Sequence, residues 1–318
     1  MTDKYIIVIP SYNRVDIIQV KTLALLRRHG ISSTKINIFV ANQEEYDLYN
    51  KTINKQLYNK LIIGVIGLKN QRNFIMKYYP EGTHIVQMDD DLDNIVELVI
   101  TKKNKSSRQQ NHTNNITNNI TRQQNHTNNI TNNKVFNKSG KSSIKSGKSI
   151  KSSIKSGKSS IKSIKSIKPI TNLDKFIIKA FNICNDNKIF LWGVYPLANA
   201  YFMTPSTTTD LRFIVGPFWG IINRHKPELQ LTINEKENSE RTLQHWTYDK
   251  TVLRFNYIGI DTKYYTNKGG LQSEGKNRQK EALKSVHYLH NKYPTLTKIY
   301  LGKKSGMPEL KFIKQKKK

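Results

Sequence analysis

Thr83-His84-Ile85-Val86-Gln87-Met88-Asp89-Asp90-Asp91 is the stretch from which the remainder of the chain is read: a strand-like run ending directly in three adjacent carboxylates. Working backward, similar runs recur. Tyr5-Ile6-Ile7-Val8-Ile9 is apolar at every position and stops at Pro10-Ser11-Tyr12-Asn13-Arg14. Such a run suits a strand buried on both faces, as in a parallel sheet. Residues 15–29 then place apolar side chains at 17, 18, 20, 23, 25 and 26, near helical spacing, with Gly30 as a stop. Ile36-Asn37-Ile38-Phe39-Val40 is a second strand, and Asn42-Gln43-Glu44-Glu45-Tyr46 opens a helix. Leu61-Ile62-Ile63-Gly64-Val65 is a third, with its helix over residues 71–79 ended by Pro80. Strand and helix alternate four times, the pattern of βαβ units with right-handed crossovers. In such sheets ligands bind beyond the carboxyl ends of the strands, where this sequence places polar clusters.

The three carboxylates need compensation, because packed together they repel. Beyond a strand end, alternate residues project the same way, so Asp89 and Asp91 are expected to converge while Asp90 points elsewhere. Hard oxygen ligands suit Mg²⁺ or Mn²⁺, held by one or two carboxylates plus substrate phosphates. Alone, three aspartates better suit a solvated loop with a helix cap. Their place after the fourth strand, with Arg72 in the preceding unit, favours the cation.

Other chemistries are excluded. Neither a glycine-rich dinucleotide fingerprint nor a Walker loop follows the first strand. Cys184 is the only cysteine, which rules out intrachain disulfides and cysteine-cluster zinc sites. No apolar run approaches the roughly 18 residues of a membrane span, and residues 1–5 lack a signal-peptide pattern. The expectation is a soluble cytoplasmic or nuclear protein with no membrane span.

The net charge of +30 is unevenly spread over the 318 residues. Residues 101–168 carry sixteen basic and no acidic side chains, whereas residues 1–100 carry twelve and eleven. That tract repeats an Arg-Gln-Gln-Asn-His-Thr-Asn-Asn-Ile-Thr unit and then a Lys-Ser-Ile-Gly array, and is expected to be disordered. Its five Asn-x-Thr sequons, from Asn111 to Asn129, follow from the repeat itself. Its lysines suit a polyanion, but an expanded, tolerated surface loop fits as well. The expected organisation is a first folded half over 1–100, a disordered insert over 101–168, a second folded half over 169–310 and a basic tail over 311–318.

Ile9-Pro10-Ser11-Tyr12-Asn13-Arg14, Gly67-Leu68-Lys69-Asn70-Gln71-Arg72-Asn73 and Met88-Asp89-Asp90-Asp91 together resemble a GT-A glycosyltransferase. Leu191-Trp192-Gly193-Val194-Tyr195-Pro196, Gly216-Pro217-Phe218-Trp219-Gly220, Glu235-Lys236-Glu237-Asn238-Ser239-Glu240-Arg241-Thr242-Leu243 and Gly269-Gly270-Leu271 are similar to its TET/JBP-associated branch, which includes the base J glucosyltransferases. The fold this resemblance implies is α/β: a GT-A type single domain, with a mostly parallel central sheet flanked by helices and interrupted by the disordered insert.

The resemblance also implies roles. Pro10, Ser11, Tyr12 and Arg14 would lie under the nucleobase and ribose, and Glu44 or Glu45 would bond them. Arg72 would lie along the diphosphate of a UDP-linked sugar, with Asp90 at the same donor site. Asp89 and Asp91 would hold Mn²⁺ or Mg²⁺, with His245 completing the metal shell. Trp192, Tyr195, Trp219 and Gly220 would form an acceptor or sugar clamp, and Trp246 recurs nearby. An inverting transfer needs a carboxylate base. The family's Glu-Asp pair reads Glu237-Asn238 here, so Glu237 or Glu240 would serve. Gly269-Gly270 with Arg278 would form a loop over the diphosphate. Each has a plainer reading: Arg72 on a helix surface, Glu44 and Glu45 at a helix start, a structural His245, core aromatics.

The expected function is metal-dependent transfer of a sugar from a nucleoside diphosphate to a hydroxyl, with a hydroxymethylated DNA base as the acceptor the resemblance suggests. Two alternatives stay open: a nucleotidyltransferase, and a non-catalytic basic nucleic-acid-binding protein on the same scaffold.

Overall fold

In the first half of the chain, strands form where the sequence is apolar without alternation, and they pair in parallel. In the computed structural model, which describes residues 4–102, 163–262, 277–302 and 306–315, β1 (Ile6–Pro10) leads into α1 (Val15–Ile18), a π turn (Gln19–Leu23) and α2 (Ala24–Arg28). There follow β2 (Ile36–Val40), α3 (Gln43–Thr52), β3 (Lys60–Ile63), α4 (Leu68–Tyr78) and β4 (His84–Met88). β1 pairs in parallel with β2, Ile7 opposite Ile36, and with β4, Ile6 opposite Ile85. β2 pairs in parallel with β3. All five residues of β2 and of β4 are buried, as strands covered on both faces must be. Asn42 caps α3 by accepting from the Glu45 N–H at 2.9 Å.

The second half mixes directions. β5 (Asn94–Lys102), β6 (Ser163–Pro169), α5 (Leu173–Asn187), β7 (Leu191–Tyr195), β8 (Thr207–Thr208), β9 (Phe218–Ile222), α6 (Glu237–Asp249), β10 (Leu253–Asp261) and α7 (Asn277–Lys292) follow. The sheet order is β3-β2-β1-β4-β9-β7-β10-β5-β6, with β8 beside β10. β9 lies antiparallel between β4 and β7, while β7 and β10 are parallel. β11 (Thr297–Tyr300) and β12 (Glu309–Phe312) form a separate antiparallel ribbon.

Two expectations change. Trp219 and Gly220, read as part of a clamp, lie in β9, where Gly220 lets the Trp192 indole lie flat on the backbone: a Cβ there would come within 2.2 Å of it. Residues 163–168, read as part of the insert, belong to β6. The Ile170 N–H bonds Ile95 O at 2.9 Å, and exposed Lys165 and Lys168 suit a guarded sheet edge. The chain divides into Met1–Val99 with Lys165–Lys318, and Ile100–Ile164. Of the second unit only the ends of β5 and β6 are described. The repeats, the sequons, Gly269-Gly270-Leu271 and the last three lysines lie outside the described residues.

Among the described residues no helix is long and apolar enough to cross a membrane.

Candidate active site at the carboxyl ends of the parallel strands

β1 and β4 are neighbours, although two strand–helix units separate them in sequence. The segments leaving their carboxyl ends therefore meet, and they line a cavity of about 820 Å³. Ser11 Oγ donates to Asp90 at 2.6 Å and shares a second hydrogen bond with the Tyr49 hydroxyl at 2.7 Å. The Arg14 N–H bonds the same hydroxyl, and its guanidinium reaches Asp90 at 2.8 Å and Asp91 at 3.1 Å. Asn13, at φ 55°, gives its N–H to Glu45 Oε2 at 3.0 Å. The loop after β1 is thereby fixed from α3 on one side and from the aspartate turn on the other.

The turn itself is held by its backbone. Thr22 Oγ1 donates to Asp89 O at 2.7 Å and accepts from the Leu92 N–H at 3.0 Å. Thr22 lies in the π turn, an irregularity that often marks a functional site. The three side chains then separate. Asp90 is buried, with one oxygen on Ser11 and the other on Arg14; burial, with Asp91 adding, pushes its carboxyl up to about 6 against the pull of Arg14. Asp89 and Asp91 are partly exposed and line the cavity. Arg72, 2% exposed, bonds Gln87 and Asp89, the latter at 2.8 Å. Its Nε makes no hydrogen bond and lies 4.0 Å from Glu237 Oε1.

α6 begins at the cavity, after Lys236 in the left-handed region. Glu237 Oε2 pairs with Arg241 at 2.9 Å, and the Arg241 guanidinium lies 3.6 Å from the centre of the Trp219 ring. Burial pulls Arg241 down to about 10 against the effect of Glu237. Asn238 accepts from Arg241 at 3.0 Å and packs on Gly216, where a Cβ would come within 2.5 Å of its amide. Glu235 pairs with Arg278 at 2.5 Å.

Several residues fall elsewhere than expected. Glu240 is fully buried and does not line the cavity; it accepts the N–H groups of Thr232 and Ile233 at 2.8 and 3.2 Å, and the Thr232 hydroxyl. Its place is to hold residues 232–233, which leaves no access for an acceptor. His245, 1% exposed, faces Asp249 and Arg224 and is absent from the cavity wall, so it does not join Asp89 and Asp91. Burial lowers its pKa. Trp192 is buried among Phe176, Phe181, Phe218 and Phe255. Trp219 and Gly220 are buried in β9, and the Tyr195 ring lies under Arg254. None of these four reaches the cavity, and Trp246 packs against the core. Glu44 is exposed on the first turn of α3, away from the wall, and its neighbour Glu45 holds Asn13 instead.

Other wall residues went unread. Gln71 bonds the Val65 N–H and Val40 O, tying the ends of β2 and β3 to α4, and Gly64 is flush against it. Asn234 accepts from the Lys69 N–H at 3.1 Å, capping α4 from a distant segment. The conspicuous signal in sequence was Gly64 itself, at a strand end.

The chemistry of the wall bears on a cation. Six acids line it (Asp89, Asp90, Asp91, Glu235, Glu237 and Glu309) against Arg14, Arg72, Lys236 and Arg278. Among the described residues no group of three or more His, Cys, Asp or Glu forms a complete ligand set. Asp89 and Asp91 supply two hard oxygen donors on the wall, Asp89 paired with Arg72 and Asp91 with Arg14, and an ion there would need phosphate oxygens and water as its remaining ligands.

No curated protein matches this chain. Residues 5–156, which carry the loop after β1, Arg72 and the aspartate turn, match the family model described as TET-Associated Glycosyltransferase, and over this stretch the chain is similar to that family of glycosyltransferases.

Proposed function

We propose that this chain is a GT-A type, metal-dependent hexosyltransferase that moves a sugar from a UDP-linked donor to a hydroxyl on a hydroxymethylated DNA base, with inversion. The convergence of the β1 loop, Arg72 and the aspartate turn on one cavity carries the reading. Pro10, Ser11, Tyr12 and Arg14 form the floor on the donor side. Arg72 lines the cavity with its guanidinium held on Asp89, a planar fork of a kind suited to phosphate oxygens. Asp90 is the anchor that keeps Arg14 and Ser11 in place.

An acid-rich wall repels a diphosphate unless a cation enters with it. Mn²⁺ or Mg²⁺ on Asp89 and Asp91 would supply that neutralisation and stabilise the charge of the departing diphosphate. In this reading Glu237, a carboxylate of the cavity wall, receives the acceptor proton. As the acceptor oxygen bonds the anomeric carbon, its proton passes to Glu237 and the bond from that carbon to the diphosphate oxygen breaks. Asn238, where the resemblance leads one to expect aspartate, packs on Gly216 and leaves the proton to Glu237.

A panel of nucleotide sugars assayed for nucleotide release with Mn²⁺, followed by product mass on hydroxymethylated DNA, tests the proposal. Release from none of the panel would refute it, and steep salt-dependent DNA binding without turnover would favour the non-catalytic reading.

A further inference from the structure

The segment leaving β7 displays apolar side chains that the donor site does not use. Pro196 and Leu197 line the cavity, and a few residues on, Tyr201 is 80% exposed and Phe202 53%. Their rings meet edge to face, 4.9 Å between centroids. The display is rigidly mounted. Asn199 Oδ1 accepts the Tyr201 N–H, and Asn199 O accepts those of Phe202 and Met203. Met203 is fully buried, the Thr204 N–H bonds Asn256 O at 3.1 Å, and Gly259 lies flush under Leu197 O and the Met203 sulfur. Isolated exposed apolar residues need no explanation, but an anchored aromatic pair beside a cavity does.

Position and charge identify the occupant. In sheet order β7 lies three strands from β1, about 14 Å at usual spacing, so the segment that carries these rings leaves the sheet at a distance from the donor loop. Residues 196–209 contain no charged side chain, and the Nζ of Lys165 in β6 bonds Met203 O at 3.0 Å. Lys165 is exposed, and two of its three donors remain for another ligand beyond that carbonyl. Flat apolar rings next to a fixed cation match a base and its backbone phosphate.

We propose that Tyr201 and Phe202 form a stacking platform for an unpaired base of the nucleic-acid acceptor, with Lys165 on the adjoining phosphate. The inference rests on the DNA-acceptor reading above. It is tested by anisotropy of a labelled single-stranded oligonucleotide containing hydroxymethylcytosine, with the full chain, Y201A/F202A, Y201W/F202W and K165A. The double alanine variant is expected to bind about tenfold or more weakly while melting like wild type, and the double tryptophan variant to bind like wild type. Lys165→Ala is expected to flatten the log–log salt slope by about 0.7. If the oligonucleotide binds wild type and Y201A/F202A equally, the platform is wrong and the acceptor class stands. If wild type releases nucleotide from a donor but binds no oligonucleotide, the acceptor class and the platform both fall, and the transfer chemistry remains.

Discussion

Two segments bring three carboxylates each to the same region and sort them differently. In the turn after β4, Asp89, Asp90 and Asp91 all reach the cavity wall; at the start of α6, Glu235 and Glu237 do and Glu240 does not. A strand end leaves consecutive side chains splayed, so a buried Asp90 can anchor Arg14 while its neighbours face the cavity. On α6 the segment 232–233 folds back and takes Glu240 through its backbone N–H groups. Equal acidity in sequence thus divides into cavity-wall side chains, an anchor for Arg14 and a structural brace, according to which backbone comes to meet each carboxylate.

The contrast is broken most severely at the turn. D89A/D91A is expected to lose about a thousandfold in donor hydrolysis, measured by nucleotide release, with its circular dichroism unchanged. Near-normal release would return the turn to a structural role. At the helix start, Glu237→Gln should lower transfer about a hundredfold and leave donor affinity, read by titration calorimetry, within a few-fold. Equal loss in Glu240→Ala would erase the distinction between the two glutamates. Instead, Glu240→Ala should keep activity per folded molecule within about twofold and cost about 1–3 kcal/mol of stability in denaturant unfolding, since buried N–H groups lose their acceptor.

The smallest effect belongs to His245. Its folded pKa is lowered by burial, then adjusted by Asp249, Arg224 and Arg241, so the neutral form is favoured in the native state. The stability it contributes is present above its ordinary value of 6.5 and lost as pH falls below that. His245→Gln should flatten this acid-side loss and leave the Mn²⁺ midpoint for donor hydrolysis unmoved. A raised midpoint would put the imidazole back in the metal shell.

Much of the parallel half was legible because strands buried on both faces read as unbroken apolar runs; β2 was read at its observed bounds, Ile36–Val40. The start of α4 was read three residues late. Its N-cap is Gly67 at φ 93°, and the capping amide comes from Asn234, far along the chain. The π turn was not legible, since Thr22 serves a turn 67 residues away. Charged and aromatic residues of the second half were over-read for the same reason. Trp192 and Gly220 answer to each other across β7 and β9, and Glu240 answers to Thr232, none of which spacing reveals.

The central claim is that the acid-rich cavity at the carboxyl ends of β1 and β4 consumes a nucleotide-sugar donor with a divalent cation on Asp89 and Asp91. Nucleotide release from UDP-sugars, followed with Mn²⁺, with excess chelator, and after Mn²⁺ is restored, tests it most directly. The account predicts release that stops with chelator and returns with the metal. Full turnover in excess chelator would contradict it.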